Sequence, residues 1–308
     1  MGLDYRETYR SLMQLEPPIV RLAVYWNRSE PEPGTYDFSA VDWMIANTPA
    51  CTRVVLVVGM KAPRWPEFYI PARLEQANDM PNKARVSDDR QLEQTVIEFV
   101  DAVVRHYRDS TAIAYWQVEN EPLDPAGPHL WTISADLLIK EIAKVRMLDN
   151  QHRPVLVNTF VSTDPLHQVP RLDDIAVRIQ TISRVADIVG LDVYPVRALG
   201  IFGNTLFVRW PAFVWQRRLD SILGSVRAAG KQVWISELEA EPWLLRERIY
   251  LQRLPNPEIF PADTKFILSE IRGDRFLDVL LWGAEFWYLR RQRFGDDRWW
   301  SIAEQLVT

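Results

Sequence analysis

Ala114-Tyr115-Trp116-Gln117-Val118-Glu119-Asn120-Glu121-Pro122 is a strand-forming run that ends abruptly in two carboxylates and an amide. Its aromatic and β-branched residues favour a pleated, half-buried backbone, and Pro122 cannot donate to a sheet ladder. Asn120-Glu121-Pro122 also fits an ordinary turn that closes a strand, so the segment by itself leaves its role open. The same arrangement recurs further along, where Lys231-Gln232-Val233-Trp234-Ile235-Ser236-Glu237-Leu238-Glu239 is a second apolar strand that runs into acids.

Around these two anchors, short apolar segments alternate with longer stretches of helical spacing, which is the pattern of an α/β fold. The strands expected are Val20–Trp26, Arg53–Gly59, Ile113–Val118, Pro154–Phe160, Ile188–Tyr194, Gln232–Ser236 and Val279–Trp287. Most are apolar on both faces, as parallel strands covered by helices are. Helices are expected at Asp4–Gln14, Ser39–Ala46, Asp88–Tyr107, Ser134–Leu148, Ile175–Val185, Val214–Ala229 and Ile267–Phe276. In the third of these, Asp88 and Gln91 have capping-box spacing, and Leu92, Val96, Phe99, Val100 and Val103 form one apolar face. Gly230 is a helix stop, because glycine tolerates the left-handed conformation.

The alternation predicts a (β/α)8 TIM-type barrel, and 308 residues suit one such domain over residues 1–308. Seven strands are counted where a barrel has eight. The chain opens on a helix, with no strand before Asp4, so either the sequence begins after the first strand or another segment closes the barrel. An open sheet edge is normally covered, which requires direct strand contact, another segment or a second chain in a homo-oligomer. The long segments Asn27–Phe38, Met60–Ser87, Glu119–Thr132, Arg197–Pro211 and Glu237–Lys265 follow strands, where barrel sites are assembled.

Composition narrows the function classes. A net charge of −5 gives no basic footprint for nucleic acid. The single cysteine, Cys51, excludes an intrachain disulfide, and its apolar neighbours suggest buried packing. No apolar run is long enough to span a membrane, and no basic and apolar leader opens the chain, so a cytoplasmic protein is expected. The four histidines lack zinc spacing, and Asp296-Asp297-Arg298 has the look of a polar turn, so no metal is expected. No P-loop or dinucleotide fingerprint is present, so no cofactor is expected either.

Two carboxylates at the ends of opposed barrel strands can converge on one bond. Glycoside cleavage needs such a pair, one to protonate the departing oxygen and one to capture the oxocarbenium-like centre. Here the chain resembles the clan A glycoside hydrolases, the cellulase-like and β-galactosidase-like TIM barrels. The resemblance rests on VENEP at 118–122, VWISELEAEPW at 233–243 and VRLAVYWNRSEPEPGTYDFSAVDWMI at 20–45. It implies Glu121 as acid/base, Glu237 as nucleophile and Asn120 as a hydrogen-bonding partner of a sugar 2-hydroxyl. It also implies that Arg21 and Tyr194 hydrogen-bond around the nucleophile. A structural ion pair for Arg21 and a core aromatic for Tyr194 are the plain alternatives. Spacing cannot separate Glu237 from Glu239, since both project to one face; the resemblance favours Glu237 and leaves Glu119 a structural role.

Pyranose C–H faces pack on aromatic rings. Of the 13 tryptophans, Trp26, Trp65 and Trp287 lie at or beyond expected strand ends and are platform candidates, with core packing as the alternative. Lys61 suits a hydroxyl or an acidic sugar group, or simply a solvated loop. The expectation is therefore a retaining glycoside hydrolase acting on β-linked glycosides, with a carbohydrate as its partner. A transglycosidase and a catalytically silent carbohydrate-binding barrel remain alternatives.

Overall fold

Among the described residues, nine strands and eleven α-helices form from these segments. They are seen in a computed structural model that describes residues 1–308 apart from 78–79, 163–173, 202–203, 210, 243–250, 253–258, 272–275, 277 and 308. The strands are β1 (Ile19–Ala23), β2 (Arg53–Val58), β3 (Ile113–Val118), β4 (Val155–Val161), β5 (Ile188–Val193), β6 (Val196–Ile201), β7 (Asn204–Arg209), β8 (Gln232–Glu239) and β9 (Val279–Trp282). The helices are α1 (Tyr5–Met13), α2 (Trp26–Ser29), α3 (Ser39–Ala46), α4 (Ala72–Ala77), α5 (Arg90–Tyr107), α6 (Ala135–Leu148), α7 (Ile175–Val185), α8 (Ala212–Ala228), α9 (Pro261–Ile271), α10 (Ala284–Phe294) and α11 (Arg298–Val307).

One sheet contains seven strands in the order β1-β2-β3-β4-β5-β8-β9, and β6 pairs with β7 in a separate hairpin. Strands β1 to β4 run parallel in sequence order, with helices between them, and β8 and β9 are also parallel. This is the strand and helix alternation of a TIM-type barrel with seven strands.

The chain divides into two compact units. One comprises residues 19–160 and 178–190; the other comprises 1–18, 161–177 and 191–308. In the first unit, β2 is deeply buried, with Val54 to Val58 all 1% exposed or less. Helix α5 buries Leu92, Val96, Phe99, Val100, Val103, Val104 and Tyr107, a stripe at helical spacing. Its N-cap is Asp89, one residue later than expected. The Asp89 side chain accepts from Leu92 N at 2.9 Å, so it is Asp89 that satisfies an orphan amide of the first turn. Ser134 caps α6 in the same way, accepting from Leu137 N at 3.1 Å.

A buried staple fixes the α6–β4 corner. Arg153 pairs with Asp149 and donates to the carbonyls of Tyr107, Arg108, Ser110 and Ile113, while its guanidinium lies 5.0 Å from the Trp116 ring. One planar donor thus satisfies the carbonyls that end α5 and open β3.

In the second unit, α1 packs near α10, and Tyr288 donates to Glu7 at 2.9 Å. Helix α8 ends at the Ala229 cap, and Gly230 follows at φ 70°, as expected of a helix stop. Three expectations change in this unit. The segment Arg197–Pro211, expected as a loop, contains most of the antiparallel β6–β7 hairpin, with Val196 opposite Arg209. The strand expected at Val279–Trp287 stops at Trp282, because Gly283 at φ 130° turns the chain into α10. The helix expected at Ile267–Phe276 starts earlier, at Pro261, a residue suited to a first helical turn. In the first unit, Cys51 is exposed rather than buried, since it lies in the turn before β2 and not in the strand.

Candidate active site

The end of β3 is held in a cage of hydrogen bonds. Glu119 and Glu121 both take positive φ, 61° and 44°, a conformation uncommon for residues with side chains and frequent where function over-determines the backbone. Asn158 on β4 organises the turn. Its Oδ1 accepts from Glu121 N at 2.9 Å and from Gln117 Nε2 at 3.1 Å, and its Nδ2 donates to Asn120 Oδ1 at 2.9 Å. Lys61, fully buried, donates to the carbonyl of Glu121 at 2.6 Å and to that of Asp124 at 3.0 Å. The backbone that carries Glu121 is therefore fixed from β4 and from the segment that follows β2.

Glu119 takes no part in presenting a carboxylate to a ligand. It is fully buried and accepts from Met60 N at 2.9 Å and Lys61 N at 2.6 Å. Gly59 leaves room for it: a Cβ there would come within 2.3 Å of the Glu119 carboxyl carbon. Burial pushes the Glu119 carboxyl up to about 7, against the pull of its neighbour Glu141, the two amides and Lys61. Glu141 on α6 is raised well above the usual carboxylate range by burial and then by the charge of Glu119. Glu119 has the amide donors, so Glu141 holds the proton of the pair.

Beyond Glu121, Asp124 pairs with Arg178 of α7. Thr159 of β4 donates to Asp124 Oδ2 at 2.7 Å and accepts from Arg178 Nη1 at 3.1 Å. Burial pulls the Arg178 guanidinium below its ordinary value, and the charge of Glu121 works against that shift. Arg178 and Glu121 therefore feel each other's charge.

In the second unit, Glu237 lies within β8 rather than after its end. The pairing with β9 steps from Ile235↔Val279 to Leu238↔Leu281, so Ser236 and Glu237 occupy an irregularity in the ladder. Such a bulge re-aims side chains and recurs beside active sites. Tyr194, just past β5, donates its hydroxyl to Glu237 Oε2 at 2.6 Å. Ser236 donates to Asp192 of β5 at 2.6 Å. Glu239 is fully buried and accepts from Val196 N at 3.4 Å. The two acids thus differ in their surroundings: Glu237 accepts from a side-chain hydroxyl, whereas Glu239 accepts from the backbone at the start of the hairpin.

The remaining expected site residues divide by burial. Arg21 lies in the middle of β1, level with Val55 of β2. Asn120 is buried inside the Asn158 cage. Trp26 is 0% exposed, stacked on Phe99 and bonded to Glu30, so it packs the core and offers no platform. Lys61 meets backbone carbonyls instead of a loop ligand, because the loop folds over it. Trp287 is buried in α10, with its indole N–H on the Ala240 carbonyl at 2.8 Å. Trp65, at 50% exposure, is open to solvent. Trp282, partly exposed at the true end of β9, donates to Glu241 at 3.0 Å; the over-long strand expected there hid it. Trp243 of the second motif and His167 lie outside the described residues.

Sequence reasoning also missed Asn158, Thr159, Asp124 and Arg178. The Asn158-Thr159 pair inside the otherwise apolar run Val155–Val161 was the available signal, since buried amides and hydroxyls require partners. Among the described residues no group of three or more His, Cys, Asp or Glu side chains suits a metal ion, and no helix is long and apolar enough to cross a membrane.

A family model described as "Beta-galactosidase", glycoside hydrolase family 42, matches residues 4–129. No curated protein matches. Among solved structures, Gan42B, a GH42 β-galactosidase from G. stearothermophilus, aligns with a TM-score of 0.66 at 15% identity, over 98% of this chain and 53% of that one. GH5_18 from Streptomyces cattleya, in complex with GlcNAc, aligns at 0.60 with 14% identity, over 90% and 65%. Xylanase 10B from Thermotoga maritima aligns at 0.56 with 13% identity, over 99% and 92%. The chain spans about half the length of Gan42B.

Proposed function

We propose that this chain, a barrel of the clan A glycoside hydrolase type, is a retaining glycosidase formed as one domain over residues 1–308. Its substrates are β-linked glycosides, with β-galactosides first among them because the matching family model is described as a β-galactosidase. Glu237 attacks the anomeric carbon while Glu121 gives its proton to the departing oxygen. Water, deprotonated by Glu121, then opens the glycosyl-enzyme with retained configuration.

The observation that carries this reading is the 2.6 Å hydrogen bond from Tyr194 to Glu237. A phenol that donates to a carboxylate holds it in one orientation, which a nucleophile needs. On the other side of the reaction, the Asn158 and Lys61 cage holds the Glu121 backbone in a conformation the chain would not otherwise adopt. Asn120 and Trp65 are assigned to substrate contact, with Arg21 beside the nucleophile. The test is hydrolysis of aryl β-galactosides, β-mannosides and β-xylosides by wild type, Glu121→Gln and Glu237→Gln. Loss of at least about 1,000-fold in each variant is expected; undiminished turnover in both contradicts the assignment.

A further inference from the structure

We propose that Asp124 balances the charge of Arg178 and so leaves the Glu121 carboxyl able to hold its proton. A general acid works only while protonated, and a cation nearby favours the ionised form. Two cations lie beside Glu121. Lys61 donates to its carbonyl at 2.6 Å, and Arg178 pairs with Asp124, whose own N–H donates to the same carbonyl at 3.0 Å. Each cation has a carboxylate of its own: Glu67 lies 3.7 Å from Lys61, and Asp124 is paired with Arg178. Among the described residues, Glu119, which accepts two backbone amides, and Glu141 behind it also lie around this turn.

The Asp124 carboxylate is built in rather than incidental. Asp124 is 7% exposed; its Oδ2 accepts from Thr159 Oγ1 at 2.7 Å and Phe160 N at 3.4 Å, and its own N–H bonds the Glu121 carbonyl at 3.0 Å. It is thus tied to both the cation it balances and the residue it protects. In a poorly hydrated setting the field of an unbalanced guanidinium is only weakly screened. Asp124 and Arg178 act through Glu121 and touch no substrate, so they are positioning residues.

This inference rests on the acid/base role proposed for Glu121 and has two readouts. The alkaline limb of the kcat/KM profile reports the acid in the free enzyme. Asp124→Asn leaves Arg178 unbalanced and moves that limb down by about 1 pH unit. Arg178→Gln leaves the Asp124 charge and moves it up, and the double variant returns close to wild type. A residue with a merely structural role would lower activity without moving the limb in opposite directions. Carbon-13 NMR titration of carboxyl-labelled glutamate, with the Glu121 signal assigned by its loss in Glu121→Gln, reads the same shift without turnover. If the NMR titration of Glu121 fails to move oppositely in the two single variants, the inference is overturned even in an active enzyme. If Glu121 moves as expected but wild type cleaves no glycoside, the charge balance stands and the hydrolase reading falls.

Discussion

Gly59→Ala is expected to be among the most damaging single-methyl changes in the molecule. Gly59 sits at φ 129°, which costs a residue with a side chain about 1–3 kcal/mol. The added Cβ would also lie 2.3 Å from both the Glu119 carboxyl carbon and Oε1. The carboxylate must then leave the amides of Met60 and Lys61, and no solvent reaches it, because Glu119 is fully buried. Loss of two hydrogen bonds to a charged acceptor costs about 1.5–3 kcal/mol each, less whatever the site recovers by relaxing. A net loss of about 4 kcal/mol is a large part of the 5–15 kcal/mol typical of whole domains. Urea unfolding at about pH 8, above the Glu119 value of about 7, measures it. The double variant Gly59→Ala/Glu119→Ala should recover part of the loss, because it removes the overlapping group. A Gly59→Ala protein within about 1 kcal/mol of wild type would refute the claim that Glu119 and Gly59 are fitted to one another.

Glu119 and Glu141 are both raised, so the folded state binds their protons more tightly than the unfolded chain does. Stability should therefore fall as pH rises from about 4.5 through about 7. Glu141→Gln should flatten that decline, and thermal melts across the window that run parallel to wild type would contradict the pairing. Arg153→Met leaves Asp149 buried without its partner and strips donors from four carbonyls, which should cost about 3–5 kcal/mol in urea titrations. Tyr194→Phe deletes one hydroxyl, so kcat should drop about 10- to 100-fold with little change in melting temperature. An equal loss of stability would make Tyr194 a structural residue instead.

Much of this architecture was legible in the chain. Ile113–Val118 and Ser39–Ala46 form with the bounds that their residues predict, because sharp punctuation flanks both. The run from Val279 to Trp287 reads as one strand because Leu280-Leu281-Trp282 and Phe286-Trp287-Tyr288 are equally apolar, and only Gly283 marks the switch from strand to helix. The hairpin carried a cue in Gly203-Asn204 between two apolar stretches, yet the loop length expected after a barrel strand masked it. For the site, the two glutamates stand out because acids after apolar strands are conspicuous. The cage does not stand out. Lys61 and Asn158 act through backbone carbonyls and amides brought from other strands, and no spacing rule along the chain encodes those partners. Trp26 was misplaced for a related reason: a tryptophan after a strand can turn inward as readily as outward.

The most direct test of the account is to trap the covalent intermediate. A fluorinated β-galactoside with an activated aryl leaving group slows release of the glycosyl-enzyme, and peptide mass spectrometry then locates the attached sugar. The account predicts a stoichiometric adduct on Glu237 that forms in wild type and not in Glu237→Gln. An adduct on Glu239, or turnover that yields inverted sugar with no adduct at all, would contradict it.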